Sequence, residues 1–245
     1  HWHQSCVIPA MKTYLDWSAY DTYGVGDAYA GIPATGGQYA KAVAVCMNNH
    51  QCQRDGKGVI LMALHFTTLE IGAALLGQKH TIDGMYREHG NPLFDYIQRR
   101  GRERHNLDAT AIEREDIRAM LKVLRAGRAI WYAPDQDYGR KQSIFVPLFG
   151  IQAATVTATS KFARLGKAQV VPFTQQRLAD GSGYKLVIHP PLNDFPGESD
   201  EADCLRINQW VERAICECPE QYLWAHRRFK TRPPGEPKLY DKRRK

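Results

Sequence analysis

Residues 58–64, Gly-Val-Ile-Leu-Met-Ala-Leu, form an unbroken apolar run that ends at His65. The run is too short to span a membrane, which takes about 18 apolar residues or more. A short apolar run preceded by glycine reads as a buried strand. Residues 68–77 follow as a helix, so the chain turns directly from strand to helix around the histidine.

The same alternation continues downstream. Residues 91–102 read as a helix entered at Pro92, a favoured first-turn position. Residues 112–127 read as an amphipathic helix, with Ile112, Ile117, Met120, Leu121 and Leu124 on one face and Gly127 as the terminating cap. Residues 129–133 are a second apolar strand. Residues 153–165 read as a helix ended by Gly166. Residues 168–178 and 184–190 read as strands joined by a turn at Ala-Asp-Gly-Ser-Gly. Residues 201–218 form a last helix stopped by Pro219. Strands and helices alternating at this spacing define an α/β fold with a mixed, largely parallel sheet flanked by helices.

Residues 1–54 differ. They hold Trp2, Trp17 and three of the six cysteines (Cys6, Cys46, Cys52), and they follow no sustained period. Three segments result: the atypical 1–54, a regular domain at 55–240, and a basic tail at 241–245. The cysteines lack metal-site spacing, since Cys216 and Cys218 are too close and no CxxC occurs, so they read as reduced thiols. The net charge of +7 favours anionic partners, whether phosphorylated lipid, nucleic acid, an acidic protein or a membrane surface.

The pattern H-x4-[D/E] occurs three times, at His50/Asp55, His65/Glu70 and His189/Asp194. Only His65 ends an apolar strand and precedes a helix. On a single helix, positions i and i+5 diverge, but across a strand-to-helix turn they can meet. Loops at the carboxyl ends of strands are also where α/β sheets bind ligands. Glu70 has a structural reading as well: Thr67-Thr68-Leu69-Glu70 fits a capping box. If the pair is a dyad, Glu70 orients the imidazole and His65 acts as general base.

Other residues carry two readings each. Arg99, Arg100, Arg102 and Arg104 form either a solvated face or a phosphate clamp. Asp135 and Asp137, past the strand at 129–133, suit Mg²⁺, a turn, or the orientation of arginines. The block His226-Arg227-Arg228-Phe229-Lys230 suits nucleic acid or a lipid headgroup surface. No GxSxG elbow is present, which argues against a serine acyl-enzyme.

Four segments resemble a known family: GKGVILMALHFTTLEIGA, MYREHGNPLFDYIQRRGRER, AIWYAPDQDYGRKQSIFVPLFG and PEQYLWAHRRFKTRPPGEP. In this order they are similar to the late acyltransferases of lipid A biosynthesis, within the wider H-x4-[D/E] acyltransferases. HRRFKTRP is closer to the lauroyl than to the myristoyl branch. The resemblance implies that His65, held by Glu70, deprotonates a hydroxyl of a 3-hydroxyacyl chain on Kdo2-lipid IVA. The acyl group would arrive as a thioester on acyl carrier protein. Arg102 first, then Arg87 and Arg104, would stabilise oxyanion or phosphate charge. Asn91, Asp135, Asp137, Arg227, Arg228 and Lys230 lie in the matching segments and are substrate-binding candidates.

The resemblance further implies no cofactor and no metal, with acyl-acyl carrier protein as cosubstrate. The expected partners are that carrier protein, a phosphorylated glycolipid and a membrane surface, and not nucleic acid. It places the chemistry at the cytoplasmic face of the inner membrane. Residues 1–54 match neither the family's anchoring helix nor its lead-in segment, so they are expected to be foreign or out of frame and membrane association peripheral. Three other functions fit part of the pattern: a glycerolipid or lysophospholipid acyltransferase, a basic nucleic-acid-binding protein, and a non-catalytic lipid-binding protein.

Overall fold

The apolar run becomes the strand β3 (Gly58–Met62), buried along its whole length near the middle of an eight-stranded sheet. The computed structural model describes residues 31–33, 39–45, 56–77, 80–103 and 108–240. The described elements begin with β1 (Gly31–Pro33), β2 (Tyr39–Val45) and β3. Then come α1 (Leu69–Gly77), β4 (Ile82–Tyr86), α2 (Pro92–Glu103), β5 (Ala111–Glu113), α3 (Ile117–Arg125) and β6 (Ala129–Tyr132). The chain continues through β7 (Ser143–Leu148), β8 (Ile151–Val156), α4 (Ala158–Gly166), β9 (Ala168–Arg177), β10 (Gly183–Ile188) and α5 (Asp200–Glu217).

The large sheet runs in the order β1-β2-β10-β9-β3-β6-β4-β5, and β7 and β8 pair separately. Five of its seven strand pairs are parallel, all but β1–β2 and β9–β10. The fold is α/β with a mixed, mostly parallel sheet, as its sequence pattern implies.

β3 is apolar on both sides because both faces of the sheet are covered. Ile60, Met62 and Leu64 pack with Met120 and Leu124 of α3 and with Ile207 and Trp210 of α5. Val59, Leu61 and Ala63 face Leu76 of α1, Trp131 and Phe173. Full burial of one such aliphatic side chain contributes roughly 1.5–3 kcal/mol, so a polar residue anywhere on β3 would be costly. Gly58 has its own reason: a Cβ there would lie 2.3 Å from the Leu124 carbonyl oxygen.

Two helices differ from expectation. The helix expected over 112–127 spans only 117–125, because residues 111–113 pair with β4 as a strand. Ile112 is buried, but on β5. Asp116 caps the helix, its Oδ1 accepting from the Ala119 amide at 2.9 Å. Gly127 adopts φ +76° just past the C-cap, as its position implied.

The helix expected over 153–165 begins instead at Ala158, and residues 151–156 are β8. Phe149 and Gly150 both have positive φ, 51° and 73°, the backbone of a tight two-residue hairpin turn. That turn commits Thr155 and Val156, both β-branched, to the β7–β8 ladder. Gly166 does not terminate α4 through its φ. Lys167 takes the left-handed position at φ 51°, while Gly166 makes room for Leu124, which a Cβ would meet at 2.8 Å.

Within 1–54, β1 and β2 extend the sheet, with β2 parallel to β10. The rest of that segment, with Cys6, Cys46 and Cys52, lies outside the described residues, as do Arg104 and the tail 241–245.

Candidate active site

β3 and β6 are adjacent and parallel, with Met62 opposite Tyr132. His65 and Asp135 each lie three residues beyond that pair, so the two loops deliver them side by side at the carboxyl end of the sheet. The His65 backbone N–H donates to Asp135 Oδ2 at 2.9 Å, and its Nδ1 lies 2.6 Å from Oδ1. Asp135 is buried and the His65 side chain is 23% exposed. The chain near Tyr222 pins the loop from the other side. Leu223 N–H donates to the His65 carbonyl and Thr67 N–H to that of Gln221.

The imidazole is therefore held at Nδ1 by Asp135, not by Glu70 as the sequence motif suggested. Sequence spacing cannot register a carboxylate seventy residues away, but strand pairing can. Burial opposes the charged imidazolium, yet the Asp135 carboxylate, assisted by Glu70, outweighs it and raises the His65 pKa above 6.5. Burial also works against the Asp135 anion, and the His65 contact more than compensates, so its pKa is lowered.

Glu70 sits in the first turn of α1 and reaches Arg102 on α2. Arg102 Nη2 donates to Oε1 at 2.7 Å, and Nε to Oε2 at 3.4 Å. The capping box expected at Thr67 does not form in that frame, since α1 starts at Leu69 and the Thr67 amide is taken by Gln221. Thr68 instead donates its hydroxyl proton to the Gln175 carbonyl at 3.0 Å.

His65, Glu70 and Arg102 border one cavity of about 700 Å³. Leu69, Ala73, Ile82, Met85 and Trp131 are among its apolar lining, and Arg87, Arg114, Tyr138, His226 and Lys230 among its polar lining. A cavity with this mixed lining can take both a hydrocarbon chain and an anionic group. With Nδ1 held, Nε2 of His65 is the nitrogen left to exchange a proton with a bound hydroxyl.

The remaining candidates separate. Arg87 and Lys230 are exposed and line the cavity. Asn91 caps α2, its Oδ1 accepting from Leu93 N–H at 3.0 Å. Asp137 is buried and accepts from the Gly139 and Thr231 amides at 2.9 and 2.8 Å. With Asp135 on His65, the two aspartates have separate partners and do not converge. Arg228 is 3% exposed and donates to the Ala154 carbonyl and Thr155 Oγ1, at 2.7 and 3.0 Å. The structure thus makes Arg228 part of the packing and not of the cavity wall. Arg227 is exposed, with its guanidinium over the Tyr240 ring. The His189/Asp194 match is not a dyad: His189 contacts Thr174 Oγ1 at 3.0 Å and packs edge-on to Trp210. His50/Asp55 lies outside the described residues.

Sequence reasoning gave no site role to Gln175, Tyr138 or Arg114, and it read His226 only as the head of a basic block. His226 Nε2 accepts from the Asp137 amide at 2.9 Å, which fixes the proton on Nδ1. Gln175 donates to the Leu64 carbonyl at 3.2 Å, beside the His65 loop. A histidine heading a run of cations gave no sign that it would be an acceptor.

The chain is similar to known proteins over this whole region. The profile of a family described as bacterial lipid A biosynthesis acyltransferase matches residues 39–231, so the match takes in β2. The lipid A biosynthesis lauroyltransferase of Escherichia coli K12 is 45% identical over 189 residues, 77% of this chain and 61% of that protein. A lipid A biosynthesis acyltransferase of Haemophilus influenzae is 46% identical over 194 residues, 77% and 60% of the two chains. The palmitoleoyltransferase of E. coli K12 is 41% identical over 194 residues, 79% and 62%. The chain thus spans about three-fifths of the length of the curated relatives it matches.

Proposed function

Because the chain belongs to the bacterial lipid A biosynthesis acyltransferase family, we propose that it transfers a fatty acyl group from acyl carrier protein to a hydroxyl of a 3-hydroxyacyl chain on Kdo2-lipid IVA. The observation that carries this reading is the His65–Asp135 pair at the edge of a cavity lined by both apolar and cationic side chains.

In this mechanism His65 Nε2 takes the proton of the acceptor hydroxyl as the oxygen attacks the thioester carbon. Asp135 keeps the ring in one tautomer and stabilises the imidazolium. The tetrahedral oxyanion forms near Arg102, which Glu70 holds in place at 2.7 Å. The C–S bond then breaks, the imidazolium returns its proton to the leaving thiolate, and an ester and the free carrier thiol remain. The chemistry needs no metal and no nucleotide. A lauroyl donor is the first choice, on the resemblance of residues 226–233.

The site would work at the cytoplasmic face of the inner membrane. Among the described residues no helix is long and apolar enough to cross a membrane. Leu93 and Tyr96, 67% and 62% exposed on one face of α2, lie close in sequence to the exposed Arg99 and Arg100. Apolar side chains beside cations suit contact with an anionic lipid surface.

An acceptor panel tests the reading. Release of carrier thiol from lauroyl-acyl carrier protein is measured with Kdo2-lipid IVA, a lysophospholipid or glycerol 3-phosphate present. Preferred transfer to Kdo2-lipid IVA is expected, and preference for either glycerolipid would overturn the assignment of acceptor.

A further inference from the structure

β4 and β5 are parallel neighbours, with Tyr86 opposite Glu113. The residue just past the end of each strand is an arginine, Arg87 and Arg114, and the Arg114 N–H still donates to the Tyr86 carbonyl at 2.8 Å. Two guanidinium groups therefore leave adjacent strands at the same register. Like charges placed directly across a ladder destabilise a sheet unless a counter-charge is supplied. Among the described residues Arg114 has an ion-pair contact to Glu115 at 3.6 Å, whose side chain is 76% exposed. Both arginines line the cavity, together with Tyr138, which is 45% exposed. Burial first, then the Asp135 carboxylate, raises the Tyr138 phenol pKa, and the fields of Arg114 and Arg87 partly oppose them.

We propose that Arg87, Arg114 and the Tyr138 hydroxyl form a phosphate-binding subsite in the lining of the cavity. Paired guanidinium groups present parallel N–H donors to the oxygens of one phosphate, and the phenol adds a further donor. A bound phosphate would relieve the repulsion that the register builds in. It would also fix the substrate relative to His65, because β4 joins β6 in the sheet and β6 carries the Asp135 loop. The identity of the phosphate rests on the acyl-transfer reading: it is either a phosphomonoester of the disaccharide acceptor or the phosphodiester of the donor's phosphopantetheine arm.

The full chain and its Arg87→Ala/Arg114→Ala variant, matched by thermal melting, are compared by binding, which needs no turnover. One arm measures partition to phosphatidylcholine vesicles carrying Kdo2-lipid IVA or the same lipid stripped of its phosphates. The other titrates lauroyl-phosphopantetheine against lauroyl-pantetheine. The double variant is expected to lose roughly tenfold or more in affinity for the phosphorylated member of one pair, and little for its phosphate-free counterpart. The arm that shows the loss identifies the source. Equal losses for both members of each pair, or no loss in either arm, would overturn the subsite. A wild-type chain that discriminates phosphate yet transfers no acyl group would count against the proposed reaction and leave the subsite standing. The Tyr138→Phe variant, which keeps the ring, should show a smaller loss in the same arm.

Discussion

His65 and Asp135 meet through two contacts from one carboxylate, the backbone amide at 2.9 Å and the ring Nδ1 at 2.6 Å. A single buried side chain thus fixes both the position of the loop and the tautomer of the base. Asp135→Asn keeps the shape but changes the charge and offers the ring a competing donor. Activity should fall by about 10²–10⁴-fold. The wild-type rate should rise with pH through the raised His65 pKa, since only the neutral ring accepts a proton. In the variant that rise should move to lower pH, and initial rates across a pH series check it.

The same pair contributes to stability in a defined window. The raised pKa of His65 makes its contribution complete below 6.5 and lost as pH climbs through the folded value. The lowered pKa of Asp135 makes its contribution present above 3.8 and lost as pH falls through the depressed value. Wild type should therefore exceed Asp135→Asn most clearly between those ordinary values, by about 1.5–3 kcal/mol. Urea denaturation at a series of pH values measures the difference, which should shrink at neutral to alkaline pH.

Glu70 and Arg102 tie α1 to α2 across the cavity, with side chains 31% and 20% exposed. Arg102→Lys removes the two-point contact and keeps the charge. Its activity should drop by about tenfold or more with little change in melting temperature. In a double-mutant cycle, Glu70→Gln and Arg102→Lys should be non-additive, with a coupling of about 0.5–3 kcal/mol in stability or transition-state energy.

Arg227 and Arg228 are neighbours with opposite fates. Arg228→Ala should destabilise the protein by about 2–4 kcal/mol, because it removes a buried donor to the Ala154 carbonyl and one of two donors to Thr155 Oγ1, the other being Asn208. Arg227→Ala, at an exposed site, should stay within about 0.5 kcal/mol. Chemical denaturation of the two variants side by side decides whether the run 226–232 is one binding surface or a surface residue next to a structural one.

Gly58→Ala should be among the most damaging small substitutions. The new Cβ would lie 2.3 Å from a backbone oxygen of α3, so the strand or the helix must shift. A loss of about 1–3 kcal/mol is expected, together with lower activity because β3 carries His65.

The elements written in local signals were legible. The uninterrupted apolar run announced β3, Pro92 opened α2, and Pro219 follows the end of α5 as expected. His65 stood out because a strand ended on it. The role of Asp135 did not, because it depends on the register of two strands far apart in sequence, which no spacing rule reports. The same blindness turned 153–156, four residues of β8, into helix. The sequence Ile-Gln-Ala-Ala-Thr-Val there follows no clear period, and the deciding signal was the Phe149-Gly150 turn before it. Arg228 misled because a cation within a basic run looks solvated until a fold closes over it.

The most direct test is acyl transfer from lauroyl-acyl carrier protein to Kdo2-lipid IVA by this chain and by His65→Ala, prepared together and matched in melting temperature. Transfer by the wild type that vanishes in the variant is the predicted result. Transfer that persists in His65→Ala would contradict the assignment of the base and, with it, the mechanism built on the His65–Asp135 pair.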